Sequence, residues 1–321
     1  MSNGDMVKIL PPMLKHWRKM LMGRSYWHAP QSLGSQFESH KLAGYFNDMK
    51  AKTEWQGPRS EQGFPLVDAH GELILFPTTL FQKALGHWDQ MLSREHQREH
   101  HENEFLKLAL WALKTQDAHG GWTIWPLLHM SFPSLYSAMT QGEGISVLVR
   151  AYSLSCDVRF LRAAEEAVRP MLIEVSEGGV ARKVPEGVIL EEFPRLQTDG
   201  VLNGWIFALF GLRDLLMVTD HPDARMMLKE SISTLVKLLP KYEMSYWSYY
   251  DLTGKVASPF YHQLHIAQLS ALELSFPEHE ANFRRARLLF ESYASSTPNK
   301  TRAMVVKLYQ KLIKPPAVVV H

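Results

Sequence analysis

Cysteine is almost missing from this chain. Of 321 residues only Cys156 carries a thiol, which rules out an internal disulfide framework and leaves the redox compartment open. Long apolar runs are missing too, since no stretch approaches the ~18 residues of a membrane span. An excess of one charge is also lacking. The formal net charge is +2, whereas a dedicated nucleic-acid binder would show a basic stripe. Residues 1–20 include Pro11 and Pro12 where a signal peptide needs an unbroken apolar core, so the reading is a cytosolic protein. Residues 13–22 read as a short basic amphipathic helix, docked on the protein or touching a membrane surface.

Familiar catalytic signatures are equally scarce. There is no G-x-S-x-G. The G-E-G at 142–144 follows no predicted strand and lacks the third glycine of a dinucleotide fingerprint. His96 and His100 stand at i, i+4 but not in H-E-x-x-H, and read as a solvated helix start. No cofactor and no metal are expected.

What is present is globular texture, with 45% hydrophobic and 21% charged residues. Residues 1–75 form an irregular wrap rich in turn formers and aromatics, with a predicted hairpin around L-V-D-A-H-G-E-L-I-L-F. Residues 76–321 change to helices arriving in pairs, the first nearly all apolar and the second striped. The first helix of each pair begins near Pro77, Tyr136, Val201 and Tyr261, and its partner covers 103–114, 157–169, 221–239 and 280–290. A helix apolar all round is buried on every side, whereas a striped one faces solvent. Four such alternations predict concentric rings: a mainly α fold, an α/α toroid, complete or partial. A small β-hairpin ending at Glu191 and Glu192 leans over its mouth, and one more basic-faced helix follows Pro298.

Short links within pairs put all four inner-helix N-termini on one face of the ring. Their opening residues are Gln82, Tyr136, Gln141, Glu143, Asn203, Trp205, Tyr261, His262 and His265. Converging helix N-termini offer positive dipole ends and unpaired N–H groups, which favour a carboxylate. The competing reading for Gln141, Asn203 and His265 is that they only satisfy inner-ring backbone. Trp122 and Trp125, on an inter-pair loop, are candidates to line the cleft. Strand alternation sends Glu191 and Glu192 to opposite faces, so at most one points inward.

Carboxylates with phenols (Tyr249, Tyr250, Tyr261), and no thiol or metal cage, suit moving protons at a substrate carbon. Tyr261 opens an inner helix, where the dipole is expected to pull its pKa below ~10.

Six segments taken together resemble the C-terminal domain of D-glucuronyl C5-epimerases: Q-D-A-H-G-G-W, Y-S-A-M-T-Q-G-E-G-I-S-V-L-V-R-A-Y, E-E-F-P, V-L-N-G-W-I-F-A-L-F-G-L-R-D-L, Y-Y-D-L and Y-H-Q-L-H-I-A-Q-L. They run in family order over roughly residues 70–275. The resemblance implies an α/α barrel that epimerises C5 of D-glucuronic to L-iduronic acid in a heparosan-like polysaccharide, the acidic polymer being the partner. It also implies proton-transfer roles for Glu192, Tyr250 and Tyr261 and a substrate contact for Asn203. The chain departs from the animal members at Phe193, Phe207 and Thr253, and resembles a compact bacterial-type member working on an unsulfated glucuronan. A polysaccharide lyase sharing the first proton abstraction, and a non-catalytic uronan-binding protein, remain the alternatives. Both a monomer and a homodimer are compatible with the sequence.

Overall fold

The computed structural model describes residues 29–313. The helix expected at 13–22 lies outside them. After a short hairpin of β1 (Val67–Ala69) and β2 (Glu72–Ile74), paired antiparallel from Val67↔Ile74 to Ala69↔Glu72, the chain is built from helix pairs. These are α1 (Pro77–Ser93) with α2 (Arg98–Thr115), and α3 (Ala138–Ser155) with α4 (Val158–Glu166). Then come α5 (Leu202–Leu216) with α6 (Pro222–Leu238), and α7 (Pro259–Ser275) with α8 (Glu280–Ala294). A last helix, α9, covers Thr297–Ile313.

Helix starts follow their chemistry. Proline stands in the first turn of α1, α6 and α7, where its missing N–H costs nothing. Asp157 caps α4 by accepting from Arg159 N, and Ser258 caps α7 by accepting from Tyr261 N at 3.4 Å. Helix α3 ends on Cys156, which takes the left-handed conformation at φ 57°.

The inner helices α1, α3, α5 and α7 pack consecutively, each with its outer partner against it, while α1 and α7 share no comparable packing. The result is an incomplete α/α toroid. The inner helices run parallel. Thr78 and Thr140, in the opening turns of α1 and α3, are hydrogen-bonded at 2.8 Å, while Arg150 and Asp214 meet near the other ends of α3 and α5. The α3–α5 contact is the tightest, because a Cβ on Gly142 would lie 2.4 Å from the Phe207 carbonyl oxygen and one on Gly211 2.3 Å from that of Gly142. Only glycine allows two helix backbones to approach so closely.

Between α4 and α5 runs the hairpin of β3 (Ala181–Val184) and β4 (Gly187–Leu190), in register Ala181↔Leu190 to Val184↔Gly187. It is pinned to α6 by Val188 N donating to Thr234 Oγ1 at 2.9 Å. The N-terminal wrap supplies Tyr45, Phe46 and Met49 to the same core as the ring. No helix among the described residues is long and apolar enough to cross a membrane.

Candidate functional site

β4 delivers two consecutive carboxylates to the N-terminal end of the inner ring, and they meet opposite fates. Glu191 is fully buried and held on all sides. Thr198 Oγ1 and Gly200 N (3.0 Å) donate to its side chain, Arg182 Nε lies at 3.8 Å, and its carbonyl accepts Ala138 N at 3.0 Å. Burial pushes its pKa up to about 6, with the Thr198 and Gly200 bonds pulling the other way. Glu191 is therefore a strut. It folds the 191–200 loop back on itself and joins it to the start of α3.

Glu192 points the other way. The residue is half-buried, but its Oε2 is sealed from solvent with no hydrogen-bond partner. It rests on Gly204 in the first turn of α5, where a Cβ would sit 2.2 Å from Oε2. Burial pushes Glu192 up to about 8, and the nearby negative groups Asp199, Asp251 and Glu191 add to the shift. At neutral pH this carboxyl is largely protonated.

Tyr250 reaches the same place from the 249–257 loop. That loop is laced to the ring by Leu202 N donating to Tyr250 O (3.1 Å) and by Leu252 N donating to Asp199 O (2.9 Å). Tyr261 arrives from the first turn of α7. The two rings meet edge-to-face, 4.8 Å between centroids, and the hydroxyls are hydrogen-bonded. Either hydroxyl can be the donor, so one proton can pass between the two phenols. Burial, then the Glu192 charge, pushes both phenols above their ordinary range. This corrects the expectation that the α7 dipole lowers Tyr261: desolvation outweighs it. Each of Glu192, Tyr250 and Tyr261 keeps part of its surface exposed. Tyr249 packs with Trp247 and Val256 in a satellite apolar cluster, against which Tyr250 and Tyr261 also rest.

Of the other expected residues, Asn203 is buried beside Gly204 with its Oδ1 unpartnered. Gln82 donates to Glu143 Oε1 at 2.9 Å, leaving Gln82 Oε1 and Glu143 Oε2 without partners. Burial pushes Glu143 up to about 8, Gln82 and Lys52 oppose, and Glu192 adds a repulsion that links the two carboxyls electrically.

Four more expectations are corrected. Gln141 holds backbone: its Nε2 donates to Gly120 O and Ala167 O (3.2 and 2.9 Å) and its Oε1 accepts from Trp122 N at 3.2 Å. Trp122 lies in the core rather than on a cleft wall, 1% exposed, its indole N–H donating to Ala112 O at 3.0 Å. Trp125 is buried likewise, donating to Tyr136 O at 2.7 Å. His262 is also fully used, stacked 3.8 Å from Trp247, with Nε2 donating to Phe290 O (3.0 Å) and Nδ1 accepting from Ser248 Oγ (2.8 Å).

That tautomer decides the next one. With its proton given to His262, Ser248 Oγ accepts from His265 Nδ1 at 3.1 Å, so His265 Nε2 carries a bare lone pair, buried and unpartnered. Burial holds His265 well below its ordinary pKa, and His262 to about 4. Both rings are neutral. A recess of about 320 Å³ lined by residues from Pro126 to Leu135 lies apart from these groups. Phe132 in its lining shares the Arg195 guanidinium with Phe193 at 5.5 and 5.4 Å.

The residue that sequence reasoning missed is Gly204. The available signal was a glycine in the first turn of an otherwise apolar helix, which marks a close approach.

An incomplete helical toroid with phenols and a buried acid gathered at one end is a class of fold and site together. The chain belongs to the D-glucuronyl C5-epimerase C-terminus family, whose model matches residues 116–291. It is 31% identical over 195 residues to the D-glucuronyl C5-epimerase of Caenorhabditis elegans, a match covering 53% of this chain and 32% of that enzyme. It is also 29% identical over 136 residues to an uncharacterized protein of Methanocaldococcus jannaschii, covering 41% of this chain and 44% of the archaeal one. The matches therefore take in less than half of either relative.

Proposed function

We propose that this protein epimerises C5 of D-glucuronic acid residues to L-iduronic acid within an unsulfated, heparosan-like polysaccharide, with Glu192, Tyr250 and Tyr261 moving the proton. The observation that carries this reading is the trio itself: two hydroxyl-linked phenols electrically coupled to a half-buried carboxyl whose Oε2 is sealed and without a partner, near the unpartnered Oδ1 of Asn203.

The hydrogen at C5 is α to the sugar's carboxylate, so its removal adds charge to a group already anionic. Inversion needs a proton acceptor on one face and a donor on the other. A carboxyl raised to about 8 is a stronger base than an ordinary glutamate once ionised. When neutral, it admits an anionic sugar without repulsion. Phenols held protonated by burial are suited to give a proton back. Glu192 thus takes the C5 proton and the Tyr250–Tyr261 pair supplies one from the opposite face; the reverse reaction exchanges the roles. Asn203 Oδ1 can accept a hydrogen bond from a sugar hydroxyl. Gln82 and His265 contribute open acceptors in the same end of the ring. A cytosolic protein of this kind would act before export of the polymer.

Incubating the protein with heparosan in deuterium oxide tests the reading. Deuterium is expected at C5 of the uronic acid, with iduronate signals appearing. An unsaturated, ultraviolet-absorbing product would mean a lyase, and no exchange at all would end the proposal.

A further inference from the structure

Helix α9 lies wholly beyond residue 291, where the family match stops. It is nevertheless fastened to the loop that carries Tyr250. Gln310 Oε1 accepts from Val256 N at 2.9 Å, and its Nε2 donates to Gly254 O at 3.0 Å. Ala303 is buried beneath α9, and the Arg302 guanidinium lies 3.9 Å from the Tyr246 ring centroid.

One turn before Gln310, Lys307 brings its ammonium to 5.6 Å from the ring centroid of Tyr250, the ring that meets Tyr261 edge-to-face. Lys307 is half-buried and forms no ion pair among the described residues. The carboxylates nearby are engaged elsewhere. Asp251 is held by Lys255 Nζ at 2.8 Å and by Thr253 N and Oγ1 at 3.0 and 2.7 Å, and Asp199 by Arg195 Nε at 3.2 Å. Lys255 and Lys311 add further positive charge around Lys307. Burial first, then Lys311, pulls its pKa down to about 8, with Asp251 opposing.

An ammonium withdrawn from water without a counter-ion costs stability. A ligand that brings the missing negative charge recovers that cost on binding. The Tyr250 ring face attracts the cation weakly and fixes it at the edge of the phenol pair without neutralising it.

We propose that Lys307 is the binding group for the carboxylate of the uronic acid being processed, a subsite contributed by a helix outside the family-matched region. This rests on the functional reading above and specifies how it meets a substrate that is anionic before reaction and more so during it. A point charge at the carboxylate stabilises the ene-diolate more than the ground state, which is the differential binding that accelerates a reaction. It also selects uronic acids over neutral sugars of the same shape.

The test compares wild type, Lys307→Met, Lys307→Gln and Lys307→Arg. Each is titrated calorimetrically with a heparosan hexasaccharide and with its carboxyl methyl ester, and C5 deuterium exchange is followed in parallel. The methyl ester is expected to bind wild type at least about tenfold more weakly than the acid. Lys307→Met and Lys307→Gln should bind acid and ester alike, at the ester's level, and Lys307→Arg should recover most of the difference. Melting temperatures at or above that of wild type certify the fold, and a rise is expected where the uncompensated charge is removed; the paired neutral substitutions guard against one of them failing to fold. Acid affinity within twofold of wild type in both neutral variants overturns the subsite, as does equal binding of acid and ester by wild type. If wild type exchanges C5 hydrogen while the neutral variants keep affinity and rate, the subsite falls and the epimerase reading stands. If the variants lose affinity while wild type never exchanges, the epimerase reading falls and the carboxylate subsite stands.

Discussion

The seam between α3 and α5 and the mouth around Glu192 share helix α5, yet they handle buried charge in opposite ways. In the seam, Arg150 and Asp214, 1% and 2% exposed, meet at 2.5 Å, and the guanidinium lies 5.3 Å from the Tyr45 ring centroid. Charge is matched by charge inside the chain. At the mouth Glu192, Asn203, His265 and Lys307 are left without such matching. Folding alone favours the first arrangement. The second leaves partners to be supplied from outside, and its cost can be carried because the seam and its glycine-to-glycine contact keep the ring rigid.

This contrast can be broken from either side. The largest effect is expected at the mouth. Glu192→Gln should lower C5 exchange by about 10³-fold or more with no loss of melting temperature, measured by deuterium incorporation and calorimetry. The seam should respond in reverse: Asp214→Ala leaves Arg150 uncompensated and should cost about 3–5 kcal/mol in denaturant unfolding. Gly204→Ala separates the two properties within one residue. Its methyl would displace Glu192, so exchange should fall by about 10²-fold. Unfolding should stay within about 1 kcal/mol of wild type, since alanine suits a helix better than glycine.

Titration sharpens the comparison further. Glu143 ionises at its ordinary value of 4.5 when unfolded but at about 8 when folded. The folded state therefore binds more protons across that window, and stability is lost as pH rises through it. Glu143→Gln should remove on the order of 1–3 kcal/mol of that loss between pH 5 and 8. The smallest effect is expected for Tyr249→Phe, with exchange within about twofold of wild type, against about 10²-fold for Tyr261→Phe.

Much of the architecture could be read from the chain because burial writes itself into composition. The nearly all-apolar run from Val201 to Leu215 and the striped one after His221 became an inner helix and its outer partner. The opposite orientation of Glu191 and Glu192 followed from strand alternation alone. What escaped depends on distances across the fold. Gln141 and His262 look like free polar residues at helix starts, but the backbone groups they serve, at Ala167 and Phe290, are far along the chain. Trp122 sits on a loop, yet that loop dives under the ring. Tyr261 was misjudged because a dipole is visible in sequence, whereas burial by neighbouring elements is not. Lys307 belongs to a helix legible in sequence only as basic on one face; that Gln310 clamps it to the Tyr250 loop depends on contacts across the fold.

That clamp bears on how the protein should be handled at the bench. An expression boundary drawn just after α8, close to the end of the family match, would leave the toroid and the phenols intact while amputating α9. Such a fragment should fold and still lack the wall over Tyr250, so a negative assay on it would indict the cloning strategy before it said anything about the enzyme.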